Sequence, residues 1–567
     1  MNPYKEGKMQ TLLCKSGKTR LIALSAATLA VLAFGAGSAL AISQSGEQKD
    51  MKLVGHADLQ GRGAYQPNFI KYPDGRILAF AGLHPSPNLN GVPAGEVKNP
   101  LNGNLAEHNG TMIIDITDPK NPVQKFHIKG SAGGTYTMVR LCLGSDLPGG
   151  MSGHVYLLRN VQSSNNSVSG YEVWDVTNVS APVIVGALRG IRSTHKSWWE
   201  CKTGIAYLPG SKATALLWRQ AQSMVIVDWS HPHDPTYPLY LRTHGLPGGQ
   251  PSGTGPTPTS LHGAISAHEH PNAAGMLVSG VDVIGNRIYA AWGVGSNGVL
   301  QILDRNKLLP PAYGGSFTGD PDNPTDAQLL SAQVGRMDMS PDQGGHTSMP
   351  VFGLAPKSLQ CSGPGPGGVP PAACPEPPAV TLSPPVDVRD IVVLTSEAGN
   401  CNSQHWGFIV DVSTENSIGV RQDMWQGPMV LSTLWVNPQS GEKYPRGNYC
   451  LRGQRFGTHS VEENFRNPYY GRLTFTAYFN AGIRAWDITD PQGPEAAGFY
   501  VPVGPVDRCG KGTETDCSYM TNNVEVDNRG CIIIVDRIGS GMDIVELSGK
   551  AKKFGPGQCT GHHDDDD

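Results

Sequence analysis

Three observations predict an all-β chain, a seven-bladed β-propeller in which an N-terminal strand closes the last blade. A short apolar run ending in an acidic residue recurs seven times. Each copy follows another β-branched, apolar run, and Gly, Pro, Asn or Asp bound the runs. Gly (71) and Pro (45) make about a fifth of the 567 residues while charged residues make only 16%, a composition of short strands and many turns.

The chain opens on a targeting pattern. Lys15, Lys18 and Arg20 precede an apolar run over residues 21–34, too short to span a bilayer comfortably, and Ala39-Leu40-Ala41 offers a small-x-small cleavage site. The reading is a signal peptide over 1–41, with an uncleaved anchor as the alternative, and a periplasmic or secreted protein without a membrane span after cleavage. Residues 42–65 then form an N-terminal segment carrying the closing strand, 66–557 the propeller and 558–567 a disordered acidic tail. A net charge of −4 with no basic cluster argues against nucleic acid as a partner. Ten of the eleven cysteines follow the cleavage site, and an even number in an exported chain predicts disulfides. The expected pairs are Cys361 with Cys374, Cys509 with Cys517, Cys531 with Cys559 and Cys401 with Cys450. No Cys-x-x-Cys pair supports a zinc ribbon or haem attachment.

The clearest marks are Met112-Ile113-Ile114-Asp115-Ile116-Thr117-Asp118-Pro119 and Arg484-Ala485-Trp486-Asp487-Ile488-Thr489-Asp490-Pro491. The others end at Asp175, Asp228, Asp304, Asp411 and Glu546. Strands are expected ahead of them at 76–80, 155–158, 287–290, 391–394 and 531–535, and after the better marks, as at 183–186. With an inner strand in front, each unit has about four strands, as a radial blade requires; paired β-sandwiches are the alternative. Loops rich in Gly and Pro at 245–260 and 355–386 project from the ring. Lys52-Leu53-Val54-Gly55-His56 is similar to the outer strand Val183-Ile184-Val185-Gly186-Ala187, so it is expected to pair with the last blade near 542–547.

These marks resemble the LVIVD-repeat propellers, whose units carry a similar apolar-apolar-Asp-apolar-Ser/Thr-Asp-Pro stretch, over nearly the whole mature chain. Similar layouts in the selenium-binding protein/methanethiol oxidase family and in thiocyanate dehydrogenase would imply copper held by histidines near the propeller axis. No ligand motif matches either family residue for residue, so the resemblance carries fold and not chemistry.

Histidines fall repeatedly where inner strands begin, at one face of the ring, here called the top. His195, His346 and His459 each sit just before an expected inner strand, leading on to Asp228, Asp411 and Asp487. His262, His268 and His270 precede the inner strand of unit four, where Ser279 holds the ring place; Asn522 holds it in unit seven. His84, His108 and His405 lie in top loops, while His127, His154, His231, His233 and His244 fall at the other face. Neutral imidazoles converging from several blades suit copper, zinc or iron. The expected ligands are His195, His346 and His459, followed by His268, His270 and His405, with copper the first choice of metal. The alternative is a ring of imidazoles hydrogen-bonded to backbone. Glu462, Glu525 and Asp282 follow ring places by three residues and are expected to be hydrogen-bonded inward-facing acids. Trp198-Trp199 is expected to be a core pair rather than a stacking platform.

Two functions follow. One is a metal-dependent oxidoreductase acting on a small molecule at the top face. The other is a non-catalytic scaffold binding a protein, peptide or glycan there. No serine elbow, phosphate loop or dinucleotide fingerprint is present in a strand-to-helix setting, and no residue takes a catalytic role from the sequence.

Overall fold

The computed structural model describes residues 47–84, 96–212, 222–247, 261–266, 277–278, 281–282, 286–293, 298–339, 342–354, 389–397, 405–412, 427–438, 449–452, 455–502, 519–555 and 559–560. The expected signal peptide lies outside them, as do the 355–386 loop and most of 245–260. All the sheets belong to one compact unit, Ser45–Asp567.

Seven antiparallel sheets of four or five strands form the blades of a seven-bladed β-propeller. Blade 1 runs Gly63–Lys71, Ile77–His84, Thr111–Asp115, Val123–Ile128, with a hairpin, Glu96–Asn99 and Leu105–His108, inserted after its second strand. The inner strands of blades 2 to 7 begin at Val139, Trp198, Leu261, Gly345, Ser460 and Thr521. Every one of the seven marks closes a third strand, from Thr111–Asp115 in blade 1 to Met542–Leu547 in blade 7. Their carboxylates explain the pattern. Asp115, Asp175, Asp228, Asp304 and Asp487 each accept a hydrogen bond from the backbone N–H two residues on, at 2.8–3.0 Å, which turns the chain toward the outer strand. The middle strands pack on neighbouring blades through both faces. Ile532–Asp536 is therefore wholly buried and reads as a continuous apolar run, whereas the outer strand Val183–Arg189 has no fully buried residue. Two short helices, Arg305–Leu308 and Asp326–Ala332, interrupt blade 4 before its outer strand. Among the described residues no helix is long and apolar enough to cross a membrane.

Closure follows the expected strand. Met51–Ala57 pairs antiparallel with Met542–Leu547, from Met51 opposite Leu547 to Ala57 opposite Met542. Glu47–Lys49 adds a fifth strand to blade 6 by pairing with Glu495–Val501.

Two disulfides are described. Cys531–Cys559 was expected; Cys142–Cys201, joining the inner-strand regions of blades 2 and 3, was not. Cys450 is disulfide-bonded, while Cys401 and the pairs Cys361–Cys374 and Cys509–Cys517 lie outside the described residues. The Cys531–Cys559 bond spans 28 residues and pins the C-terminal segment to the core beside Ala57 and Leu59. Replacing both cysteines by Ser is expected to cost about 3 kcal/mol through the freed unfolded chain. Urea unfolding of the oxidised protein measures this, and an unchanged midpoint would contradict it.

Candidate metal centre

The start of each inner strand faces the axis at the top, and the imidazoles meet there. The Tyr65 hydroxyl lies 3.2 Å from His195 Nε2, 3.0 Å from His346 Nε2 and 3.0 Å from His459 Nε2. These four side chains come from blades 1, 3, 5 and 6. Tyr65, His346 and His459 are buried, and His195 keeps some exposure. The rings of His346 and His459 lie 4.1 Å apart, centroid to centroid.

Blade 4 differs from the sequence reading. Its inner strand is Leu261–Ser266, so the ring place belongs to His262 rather than Ser279. The His262 ring is 3.8 Å from that of His195 and 4.6 Å from that of His346. His262 Nε2 lies 2.7 Å from Glu397, a buried carboxylate at the top end of blade 5's second strand. Donor atoms of His195, His262 and His346 all lie within 4.8 Å of one another, and so do those of His346, Glu397 and His459. His346 belongs to both groups. His268 and His270 lie outside the described residues. His405 hydrogen-bonds Ser396 through Nδ1 at 2.6 Å and is not among the rings that meet Tyr65.

The protonation pattern leaves this cluster short of hydrogens. His459 Nδ1 lies 2.7 Å from the Asn522 carbonyl and His195 Nδ1 lies 3.2 Å from the His262 carbonyl. A carbonyl only accepts, so both Nδ1 atoms carry the proton and both Nε2 atoms present lone pairs to Tyr65. Burial pushes His346 well below the ordinary imidazole range and His459 down to about 4, so these rings are neutral at pH 7. Burial likewise holds the Tyr65 phenol protonated. One hydroxyl proton serves one lone pair, and a second remains without a hydrogen. A cation at this point would satisfy every Nε2 at once, with each Nδ1 held by a carbonyl or hydroxyl as metal-bound imidazoles usually are. The donor set fits a transition metal of the copper or zinc type.

Charge around the cluster is uneven. Burial alone would raise the Glu397 carboxyl, but His262, whose Nε2 lies 2.7 Å away, holds it well below the usual carboxylate range. Arg455 Nη1 lies 3.1 Å and Arg537 Nη1 3.7 Å from the same carboxylate, so two guanidiniums share one anion at the top. Beneath, Lys196 Nζ lies 3.1 Å and Arg140 Nη2 2.6 Å from the buried Glu463. Arg140 and Glu463 of this ion-paired layer also line a cleft of about 360 Å³, together with Asn68, Trp198 and Glu525.

Glu462 is a hydrogen-bonded inward acid as expected, taking the N–H of Phe475 at 2.8 Å, and burial holds it protonated. Burial, with Glu463 nearby, raises Glu525 to about 7. The side chain of Asp282 is outside the described residues. Trp198 and Trp199 are both buried in the core. Tyr65 and Glu397 had no place in the sequence reading. Tyr65 falls on the boundary drawn between closing segment and propeller, and Glu397 shares a top loop with His405, the one signal that could have found it.

No protein-family model matches the chain, and no curated protein matches it. Solved structures similar to it include the WD40 repeats of RRP9, at 10% identity and a TM-score of 0.39 over 89% of this chain and 99% of that one. A protein from Lactobacillus plantarum is 9% identical with a TM-score of 0.42, covering 84% of this chain and 97% of its own. The Dos1 propeller is 9% identical with a TM-score of 0.39, covering 88% and 97%. The blade order and closure described above make the chain a seven-bladed β-propeller.

Proposed function

We propose that this is an exported metal-dependent oxidoreductase that holds copper among His195, His346 and His459, with His262 and Glu397 beside them, and acts on a small molecule at the top of the propeller. The observation that carries this reading is the convergence of three imidazole Nε2 atoms within 3.2 Å of one oxygen, with fewer hydrogens than lone pairs. Nitrogen sites favour copper over the other divalent first-row ions, and copper supplies one-electron chemistry when bound. The chain's own groups would do the rest. His262 and Glu397 position their neighbours, and Arg455 and Arg537, in excess over Glu397, favour an anionic or electron-rich substrate. The two disulfides support an oxidising compartment, periplasmic or secreted. The marks also keep the resemblance to LVIVD-repeat propellers, which is the family reading we favour.

Elemental analysis of the purified mature protein tests this. Near-stoichiometric copper is the expected result. Zinc or iron would keep the site and change the chemistry, whereas protein that stays metal-free after copper reconstitution would leave a binding scaffold for a protein, peptide or glycan as the function.

A further inference from the structure

The opposite face of the ring holds a second convergence of metal-type donors, built on one of the seven marks. Asp175 ends the third strand of blade 2, Gly170–Asp175, and its Oδ1 accepts from the Thr177 N–H at 3.0 Å and the Thr177 hydroxyl at 2.6 Å. One carboxylate oxygen thus locks the turn and leaves Oδ2 over. In blade 1 the corresponding oxygen of Asp115 lies 3.8 Å from Lys125, and in blade 3 that of Asp228 accepts from the Tyr313 hydroxyl at 3.0 Å. In blade 2 it meets two imidazoles. His154 Nδ1 lies 2.6 Å and His233 Nε2 3.3 Å from Asp175 Oδ2, and the three donors lie within 4.8 Å of one another.

The two histidines come from different blades, and the backbone fixes both. His154 immediately precedes the second strand of blade 2, Val155–Val161, and its N–H donates to the Met151 carbonyl at 3.0 Å. His233 follows the third strand of blade 3, Ser223–Asp228, in a turn where the Asp234 N–H donates to the His231 carbonyl at 3.1 Å. The two loops are joined by the Gly149 N–H donating to the Ser230 carbonyl at 2.9 Å. A Cβ on Gly149 would sit 2.0 Å from the His231 ring, so a larger residue there would have to displace that ring. The side chains of His154 and His233 are 29% and 38% exposed and that of Asp175 is 13%, so an ion arriving from water meets preplaced donors without entering the core.

We propose that His154, Asp175 and His233 form a zinc-type divalent cation site bridging blades 2 and 3, separate from the top-face cluster. Two imidazoles and a carboxylate leave one coordination position for water, the donor set of an open zinc site, and they suit zinc or copper far better than calcium or magnesium, which take oxygen ligands. Tetrahedral donors about 2.0–2.1 Å from zinc lie about 3.3 Å apart. The His233–Asp175 separation already has that value, and the His154–Asp175 contact widens by a small swing of a part-exposed ring.

The test is equilibrium dialysis of the full mature chain against zinc ion, with bound metal counted per chain. Wild type is expected to bind one equivalent more than His233→Ala, and His346→Gln, altered only at the top face, is expected to keep that equivalent. Asp175→Asn retains an oxygen for the Thr177 turn and is expected to weaken the same equivalent at least about tenfold without unfolding the protein. Zinc is also expected to raise the thermal midpoint of His346→Gln but not that of the His233→Ala, His346→Gln double variant. Equal zinc counts in wild type and His233→Ala would overturn the proposal, and loss of all zinc with His346→Gln alone would do the same.

Discussion

Replacing His346 by Gln is expected to strip the ion from the top-face centre, weakening metal binding by more than about 100-fold. His346 belongs to both donor groups at the axis and is fully buried, so no other side chain swings in to take its place. Loss of an outer-shell partner alone costs about 10–100-fold in metal affinity, and loss of a ligand nitrogen exceeds that. Glutamine nearly fills the imidazole volume and keeps a polar atom near Thr347, whose hydroxyl lies 2.9 Å from His346 Nδ1. The fold should therefore survive, and circular dichroism on the same sample checks that it does. A folded His346→Gln protein with undiminished metal content would remove the axis cluster from consideration as the centre.

Removing residues 47–57 is expected to have the largest effect on stability. Their loss unpairs Met542–Leu547 and takes the added strand from blade 6. Met51 packs with Val545 and Leu547, and Ala57 with Met542 and Ile544, so apolar surface opens along a bare strand edge. The truncated chain is expected to elute as aggregate, or as a monomer melting several degrees lower, since each kcal/mol lost shifts a chain of this size by only about 1 °C. A point change gives the milder form. A Cβ on Gly55 would lie 2.1 Å from the Pro119 carbonyl oxygen of blade 1. Gly55→Ala should therefore force the closing strand off its neighbour and cost about 1–3 kcal/mol. Size-exclusion chromatography and thermal melts read both, and a truncated chain melting with wild type would show that the ring closes without this strand.

What could be read from the sequence depended on whether the signal was local. The marks were legible because a carboxylate capping its own turn needs only residues two apart, as between Asp487 and Thr489. The closing strand was legible because Val54-Gly55 repeats the pattern of an outer strand. Blade 4 was misread because Leu261-His262-Gly263-Ala264-Ile265-Ser266 carries three small residues and no clear alternation, and follows directly on a stretch rich in Gly and Pro. His262 therefore looked like loop. Cys142–Cys201 joins positions 59 apart whose proximity exists only once blades 2 and 3 stand side by side. Tyr65 and Glu397 were missed for the same reason: their chemistry depends on where two strand ends point across the axis, and nothing in their neighbours reports that. The three histidines were found because one residue type recurred at one place in the repeat, a signal that survives without coordinates.

The central claim is that the imidazoles at the top of the ring are a copper centre. Its most direct test is a crystal of the mature protein reconstituted with copper, with diffraction recorded on both sides of the copper absorption edge. The expected result is one anomalous peak at the axis within about 2.0–2.1 Å of the Nε2 atoms of His195, His346 and His459, the range of imidazole–metal bonds. No anomalous density there, with the Tyr65 hydroxyl still seated among the three rings, would contradict it.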